Sequence, residues 1–307
     1  MSNQMRVLVT GGAGFIGSQL ALDLEAQGFE VVVIDNFFSG EASNLQSLKG
    51  RVIHQDLSEG FDAPGQFEVI FHQAAITDPR HDNDKEVYEK NVRGFEKLLE
   101  HSLKTGAKLI YASTAGLYGN GKVPMEEDQT KEILTSYGQS KLKMDEMAGD
   151  YFSKLHIVGL RYFNVFGPHE AHKGRPASMI YHLWKQMSQG KRPRIFSLGE
   201  QTRDFIYVKD VVRANLCALK APSGIYNVGT GVGTTFNQLV GTLNEVLGTD
   251  WEPEYFDMPY DQSTYQHHTL ADTTRAEKQL GFKAKWDFKS AVSDYVKWLD
   301  QTEGKKS

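Results

Sequence analysis

Residues 6–35 read RVLVTGGAGFIGSQLALDLEAQGFEVVVID. An apolar run ends in three glycines, Gly11, Gly14 and Gly17; a helix-like pattern follows, then a second apolar run that closes on Asp35. Glycine lets a backbone turn tightly, approach a pyrophosphate closely and pack a helix on a strand. A helix starting at such a turn aims unpaired N–H groups and its positive dipole end at phosphates. Asp35 stands 18 residues beyond Gly17, where a carboxylate hydrogen-bonds the hydroxyls of an adenosine ribose. A lone glycine pattern leaves the ligand open; strand, turn, helix, strand and acid in this order point to a nicotinamide dinucleotide. The acid favours NAD, because it would repel a 2′-phosphate, and residues 36–43 (NFFSGEAS) bring no arginine to reverse that. NADP is the alternative.

Outward from this unit the same rhythm continues. The runs RVIHQ, EVIFHQAA, KLIYAS and HIVGLRYF add four apolar, β-branched segments, several without alternation, as parallel strands covered on both faces require. Amphipathic segments lie between them. In GFEKLLEHSLKTGAK, Phe95, Leu98, Leu99 and Leu103 share a helical face, and Gly106 is placed to end the helix. The expected fold is α/β, a Rossmann-type doubly wound parallel sheet with six or seven strands before residue 165. After Gly167-Pro168 the rhythm breaks into helices, irregular segments and clustered aromatics. Residues 1–167 are expected to form the NAD-binding domain. Segments of about 203–230, with the strands DFIYV and GIYNVG, return to its sheet. Residues 168–202 and 231–307 form a smaller α/β substrate lobe.

The chain has 307 residues, 40% of them apolar and 24% charged, with a net charge of −5. That balance gives no pull towards nucleic acid or acidic membranes, and the small basic cluster GKRPR (190–194) reads as a solvated loop. No run reaches membrane-span length, and the first strand starts too early for a signal peptide to precede it. Cys217 is the only cysteine, so no internal disulfide forms; this fits a reducing, cytoplasmic setting, with the thiol buried as a small apolar group. The histidines, His169, His172 and the pair His267-His268 among them, show no metal-ligand spacing and read as polar loop residues. No metal is expected. His72 in IFHQAA is expected to pack beside the cofactor as a structural residue.

Tyr137 and Lys141 form Y-x-x-x-K, which a helix places on one face. A phenol of pKa about 10 is a poor base at neutral pH. An adjacent ammonium and an oxidised nicotinamide both favour the phenolate and would bring it nearer its working range. Ser113 and Thr114 end a predicted strand at the carboxyl edge of the sheet, where α/β sites form and where a hydroxyl can hold a reacting oxygen and relay its proton.

At these residues the chain resembles the extended short-chain dehydrogenase/reductases of the nucleotide-sugar epimerase and dehydratase group. The matching motifs are TGGAGFIG, HQAA, STAGLYG, YGQSK, RYFNVFGP, RDFIYVKD and YNVGTG, which run over nearly the whole chain. The resemblance implies Tyr137 as catalytic acid/base, Lys141 as its electrostatic partner and nicotinamide-ribose ligand, and Thr114 as hydroxyl relay. It adds Phe15, Ile16, Asn36, Asp56, Leu57, Ala74 and Ala75 as cofactor contacts, with Asn91 helping to position the catalytic helix. For a nucleotide-diphosphate sugar it implies Ser113, Thr77, Asn164, Arg203 and Tyr265.

Within the group, the stretch ending in HKG (172–174) resembles the ADP-glyceromanno-heptose 6-epimerases, where Lys173 matches a proposed second acid/base and substrate contact. A surface lysine in a Gly/Pro-rich loop is the plain alternative. A UDP-hexose 4-epimerase is the rival activity; AGLYG after Thr114 lacks the acidic pair of the 4,6-dehydratases, and an intact Tyr/Lys pair argues against a non-catalytic NAD sensor. Two stretches depart from the family pattern: AAITDPRHDND (74–84), where Asp82 and Asp84 are expected to cap the next helix, and QST (262–264) before Tyr265. Helices near 93–105 and 141–153 are expected to pair between copies in a homo-oligomer.

Overall fold

Seven short strands stack side by side, all parallel, and the order in which they do so sets the site. The computed structural model describes residues 4–78, 83–257 and 265–303. The six segments expected as strands are β1 (Arg6–Thr10), β2 (Glu30–Asp35), β3 (Arg51–His54), β4 (Val69–His72), β5 (Lys108–Thr114) and β6 (Ile157–Tyr162). After β7 (Asn164–Phe166), β8 (Arg194–Phe196), β9 (Thr202–Arg203) and β10 (Phe205–Tyr207), the chain returns to the sheet once, at β11 (Gly224–Val228). The seven-stranded order is β11-β6-β5-β4-β1-β2-β3. Of the two strands expected to return, GIYNVG does so and DFIYV does not. β10 pairs only with β7, Phe205 opposite Asn164, because β7 follows β6 after a single residue and leads away from the sheet edge.

Alternation along each strand sends side chains to two different cores. Val7, Val9, Val31, Val33 and Phe71 face α1 (Phe15–Ala26) and, through Val211, Ala214 and Ala218, a later helix at Val208–Ala218. Leu8, Val32, Ile34, Ile70 and Leu109 face α2 (Asp84–Thr105) and α3 (Ser136–Gly149) through Phe95, Leu98, Leu99, Met144 and Ala148. Helices on both faces explain the unbroken apolar runs. Gly106, at φ 78°, ends α2 in the left-handed region, where glycine carries no Cβ penalty. Leu103 departs from the expected buried face and is 40% exposed, one turn from that end. α2 is capped by Asn83, whose side chain accepts from Glu86 N, and not by Asp84; the Asp84 carboxylate instead accepts from the Ser136 hydroxyl at the head of α3. Asp82 lies outside the described residues.

The remainder packs around its own core. α4 (Met179–Ser188), α5 (the helix at Val208–Ala218), α6 (Phe236–Leu247) and α7 (Phe288–Thr302) complete the helices, and Ile180, Leu183, Leu239, Leu243, Val292 and Leu299 meet Phe166 and Phe205 there. β12 (Thr234–Thr235) pairs with β9, and β13 (Glu254–Phe256) with β8. The GKRPR cluster is spent on this last pairing: Arg192 donates to the carbonyls of Glu252 and Pro253, and Arg194 pairs with Glu254. Cys217 is half-buried on α5, its thiol turned to the Gly281 carbonyl. Among the described residues no helix is long and apolar enough to cross a membrane.

Candidate active site

β1 and β4 are neighbours in the sheet but far apart in sequence, so the loops leaving their carboxyl ends diverge and open a cleft. The glycine turn forms one wall. Gly11 sits at φ 66°, and a Cβ there would lie 2.5 Å from Ala74 N. A Cβ on Gly17 would lie 2.1 Å from the Gly11 carbonyl oxygen, so α1 can close on the turn only with glycine. Gly14 differs. Its Cβ would meet only the Gly11 oxygen at 3.2 Å, and it begins α1 without any side-chain cap. The fold does not demand glycine there; the space and the bare helix N-terminus face the cleft, as a phosphate requires.

Every expected cofactor contact lines this cleft: Gly11, Gly14, Phe15, Ile16 and Gly17 from the turn, Asp35, Asn36, Asp56 and Leu57 from the ends of β2 and β3, Ala74 and Ala75 after β4, and Asn91 on α2. Asp35 is buried, its two oxygens accepting from Ala13 N at 2.9 Å and Phe37 N at 2.7 Å, which ties the glycine turn to the end of β2. Asp56 accepts from Ser58 and from the Asn36 amide and faces Lys90 at 3.9 Å. Burial acts to raise its carboxyl, but the Ser58 and Asn36 hydrogen bonds and the Lys90 charge prevail and hold it below the usual range. Asn91 spends its amide on Ile76 N, Ile76 O and the Ser140 hydroxyl, locking the loop after β4 to α3.

α3 brings Tyr137 and Lys141 to the same cleft. The Lys141 Nζ lies 5.7 Å from the centre of the Tyr137 ring. Lys141 is 1% exposed, and its Nζ has no hydrogen-bond partner among the described residues. Burial brings the amine down to about 8, opposed by Asp145. Burial also pushes the Tyr137 phenol up to about 12, against a hydrogen bond from Thr114 that favours the phenolate. Among the protein's own groups, removing the ring from water outweighs the Thr114 hydrogen bond; the expected lowering of the phenol rests also on the charge of an oxidised nicotinamide. Thr114 touches Tyr137 and accepts from Gly116 N at 3.0 Å. Ser113 is buried with an unpartnered hydroxyl. A bare helix terminus, room at Gly14 and a buried ammonium without a partner together fit a dinucleotide.

Lys173 reaches the same cleft from a different element, a short 3₁₀ turn at Ala171–Lys173. Its Nζ stands 5.5 Å from the centre of the Phe15 ring. Burial lowers its pKa, opposed by Glu170 and Asp78. Glu170 is fully buried and accepts from Gly167 N and from the backbone and hydroxyl of Ser178, which pins the loop to the start of α4. Two histidines pin its other side. His169, at φ 72°, meets the Ser18 hydroxyl at 2.9 Å; His172 meets the Asn44 amide at 3.3 Å, and that amide also donates to Ala13 O. They are polar residues of the loop, as expected, and they dock it; His172 also lines the cleft. The HKG motif singles out His172 but not His169. Tyr162 and Gln73, joined at 3.2 Å, also line the cleft; both stand inside matching motifs, RYFNVFGP and HQAA, but were not singled out as site residues. His72 is buried beside it, its Nδ1 on Thr10 and its ring pushed down to about 3 by burial and by Lys141. Among the described residues no group of histidines, cysteines and carboxylates could hold a metal ion.

Of the expected substrate contacts, Thr77 lines the cleft and is exposed. Lys173 lines it too, whereas Arg203, Asn164 and Tyr265 gather away from it. Arg203 donates to the carbonyls of Thr202 and His267, and its guanidinium stands 4.9 Å from the centre of the Tyr265 ring. Asn164 joins the same segment through Thr269 at 2.9 Å. Residues 262–264, the QST stretch, lie outside the described residues.

A model of the NAD-dependent epimerase/dehydratase family matches residues 7–229. The ADP-L-glycero-D-manno-heptose-6-epimerase of Pseudomonas aeruginosa is 34% identical, covering 96% of this chain and 99% of its own. The crystal structure of the Helicobacter pylori enzyme of the same name is 37% identical, with a TM-score of 0.89 over 96% of both chains. The UDP-glucose 4-epimerase of Thermotoga maritima, solved with UDP-glucose, is 32% identical with a TM-score of 0.87, covering 97% of this chain and 100% of its own. The chain belongs to the NAD-dependent epimerase/dehydratase family.

Proposed function

We propose that this protein interconverts the C6 epimers of an ADP-linked glycero-manno-heptose, using bound NAD. The observation that carries the reading is that Tyr137 with Lys141 on α3, and Lys173 on its own loop, line one cleft with the glycine turn. The relatives' names supply the substrate. When bound, NAD supplies reversible hydride exchange with the secondary alcohol at C6. Tyr137 Oη takes the alcohol proton, and the Thr114 hydroxyl, already bonded to it, relays that proton. Lys141 Nζ holds a ribose hydroxyl and steadies the phenolate. C6 lies outside the sugar ring, so rotation about C5–C6 turns the other face of the ketone to the hydride, and the oxygen swings to the opposite side. There the Lys173 ammonium gives a proton of its own to the oxygen as the carbonyl is reduced, and exchange with water afterwards returns Tyr137 and Lys173 to their starting protonation. A single base at Tyr137 would serve one half-reaction only.

Arg203 suits a diphosphate through its planar fork, with Asn164 and Tyr265 beside it and Ser113 and Thr77 towards the sugar. Asp35 selects NAD over NADP through its charge. On this reading residues 1–167, with parts of 203–230, hold the cofactor, and 168–202 with 231–307 hold the nucleotide sugar. The protein works in the cytoplasm, as its one free cysteine suits, on a lipopolysaccharide precursor. Exposed Leu103 on α2 is available to a homo-oligomer contact.

The test is a product assay by proton NMR with ADP-D-glycero-D-manno-heptose and, separately, UDP-galactose, run with Tyr137→Phe and Lys173→Met. Interconversion of the heptose pair, lost in both variants, is the expected result. The likeness to the Thermotoga enzyme favours a second reading, a UDP-hexose 4-epimerase. Turnover of UDP-galactose with Lys173 dispensable would establish that one instead.

A further inference from the structure

Tyr137, Lys141 and Asp145 follow one another at intervals of four along α3 and therefore share a helix face. An aspartate one turn from a lysine is its natural ion-pair partner. Here the pair does not form. Asp145 Oδ1 accepts from the Tyr111 hydroxyl at 2.9 Å, and Oδ2 accepts from Arg161 Nε at 3.0 Å and Nη2 at 2.8 Å. Lys141 Nζ is left with no hydrogen bond. All four side chains are buried. A buried carboxylate ordinarily takes the donors it can reach, and here three bonds from two other residues, one on Oδ1 and two on Oδ2, hold it while the lysine stays uncommitted.

The two donors are themselves held. Tyr111 lies opposite Gly159 in the β5–β6 register, and a Cβ at 159 would stand 2.5 Å from the phenol oxygen. Glycine there gives the ring its path to Asp145. Arg161 Nη1 donates to the Tyr118 hydroxyl at 2.9 Å and the Glu127 carbonyl at 2.8 Å, and Tyr118 donates on to Asn227 on β11 at 2.6 Å. The guanidinium is fixed on both flanks.

We propose that Tyr111 and Arg161 are positioning residues that take up the Asp145 carboxylate so that the Lys141 ammonium, one turn earlier, stays free for a hydroxyl of the ligand in the cleft. This rests on the reading of Lys141 as ligand-facing given above. Lys141 Nζ stands beside the Tyr137 ring and interacts electrostatically with Asp145 on α3 and His72 on β4; Tyr111 on β5 and Arg161 on β6 reach it through Asp145, and Tyr162 on β6 and the neutral Asn91 on α2 line the same cleft. Burial keeps His72 uncharged at working pH.

The test follows the Lys141 amine directly, by titrating its 13Cε and 15Nζ NMR signals in lysine-labelled full-length protein, with and without NAD. Tyr111→Phe frees Asp145 Oδ1 for Lys141; the amine should titrate higher, its neutral fraction at pH 8 falling several-fold, and NAD affinity should fall several-fold. Asp145→Asn removes the anion; the amine should titrate lower, its neutral fraction rising several-fold. Should that variant fail to fold, Asp145→Asn with Arg161→Met removes both charges together and should move the amine the same way. Opposite displacements support the proposal. Loss of melting temperature with an unmoved amine, or displacements of one sign, overturns it and reduces the network to packing. Opposite displacements with NAD leaving the wild-type Lys141 signals unmoved overturn the ligand reading alone.

Discussion

Replacing Lys141 with methionine should make the cofactor-free protein more stable while destroying its use. The side chain is 1% exposed and its Nζ has no partner, so the ammonium is buried without the hydrogen bonds that normally offset its desolvation. Burial brings its pKa from the usual 10.5 to about 8. That difference corresponds to about 3 kcal/mol. Between those two values the unfolded chain binds more protons than the folded one, so stability rises with pH across the window. Below about 8 both states are protonated and the folded state carries the whole cost, so it is fully present at pH 7.

Methionine has a similar length and no charge, and fills irregular space well. Allowing for imperfect packing, Lys141→Met should gain about 2 kcal/mol at pH 7, or roughly 3 °C in Tm for a chain of this size. Urea and thermal melts without cofactor, at pH 7 and again at pH 10, measure it. The gain should shrink towards zero at the higher pH as the wild-type amine loses its proton. With NAD present the order should reverse, because only the wild type gains binding energy. A variant less stable than wild type at pH 7 without cofactor, or a gain that ignores pH, would refute the reasoning.

The glycine turn should divide into a structural and a ligand-bearing position. Gly17→Ala brings a Cβ to 2.1 Å from Gly11 O and should cost about 2–3 kcal/mol in a urea melt. Gly14→Ala meets only a 3.2 Å contact and should cost under about 1 kcal/mol, yet weaken NAD at least tenfold by calorimetry. His72 should make the protein acid-sensitive. Its ring falls from the usual 6.5 to about 3, so the unfolded chain binds the extra proton in that window and stability drops as pH falls through it. Wild type should lose about 2 kcal/mol more than His72→Gln between pH 7.5 and 5.

The parts legible in the sequence were those set by local pattern. Apolar runs without alternation mark strands buried on both faces, and residues such as Val7 and Leu8 do face different cores. The spacing of Gly11, Gly14 and Gly17 and of Tyr137 and Lys141 is a property of a few residues of backbone. Other features needed the assembled chain. DFIYV has a strand's composition, but whether it joins the main sheet depends on where β7 leaves it. Leu103 keeps the helical period of Leu99, and only its place near the open end of α2 exposes it. The expected lowering of the Tyr137 phenol rests on its lysine neighbour and an oxidised nicotinamide; the opposing loss of water around the ring is something no spacing reports.

The two lysines that share the cleft reach it by different routes under the same constraint. Each is placed near a buried carboxylate, Asp145 for Lys141 and Glu170 for Lys173. Either carboxylate could bind its lysine outright, and an amine locked in an ion pair can neither hold a ligand hydroxyl nor pass on a proton. In both places other donors reach the carboxylate: Tyr111 and Arg161 at Asp145, and Gly167 N with the Ser178 backbone and hydroxyl at Glu170. The anions then act on the amines at a distance, opposing the pull of burial without capturing them. A lysine at the surface, such as Lys289, pairs directly with its anion, Glu245 at 2.7 Å, and its pKa is raised by that pairing, not lowered by burial. The requirement for a partly desolvated yet uncommitted cation therefore explains why the HKG loop is fixed on both sides, by Glu170 to α4 and by His169 and His172 to the glycine turn and α1.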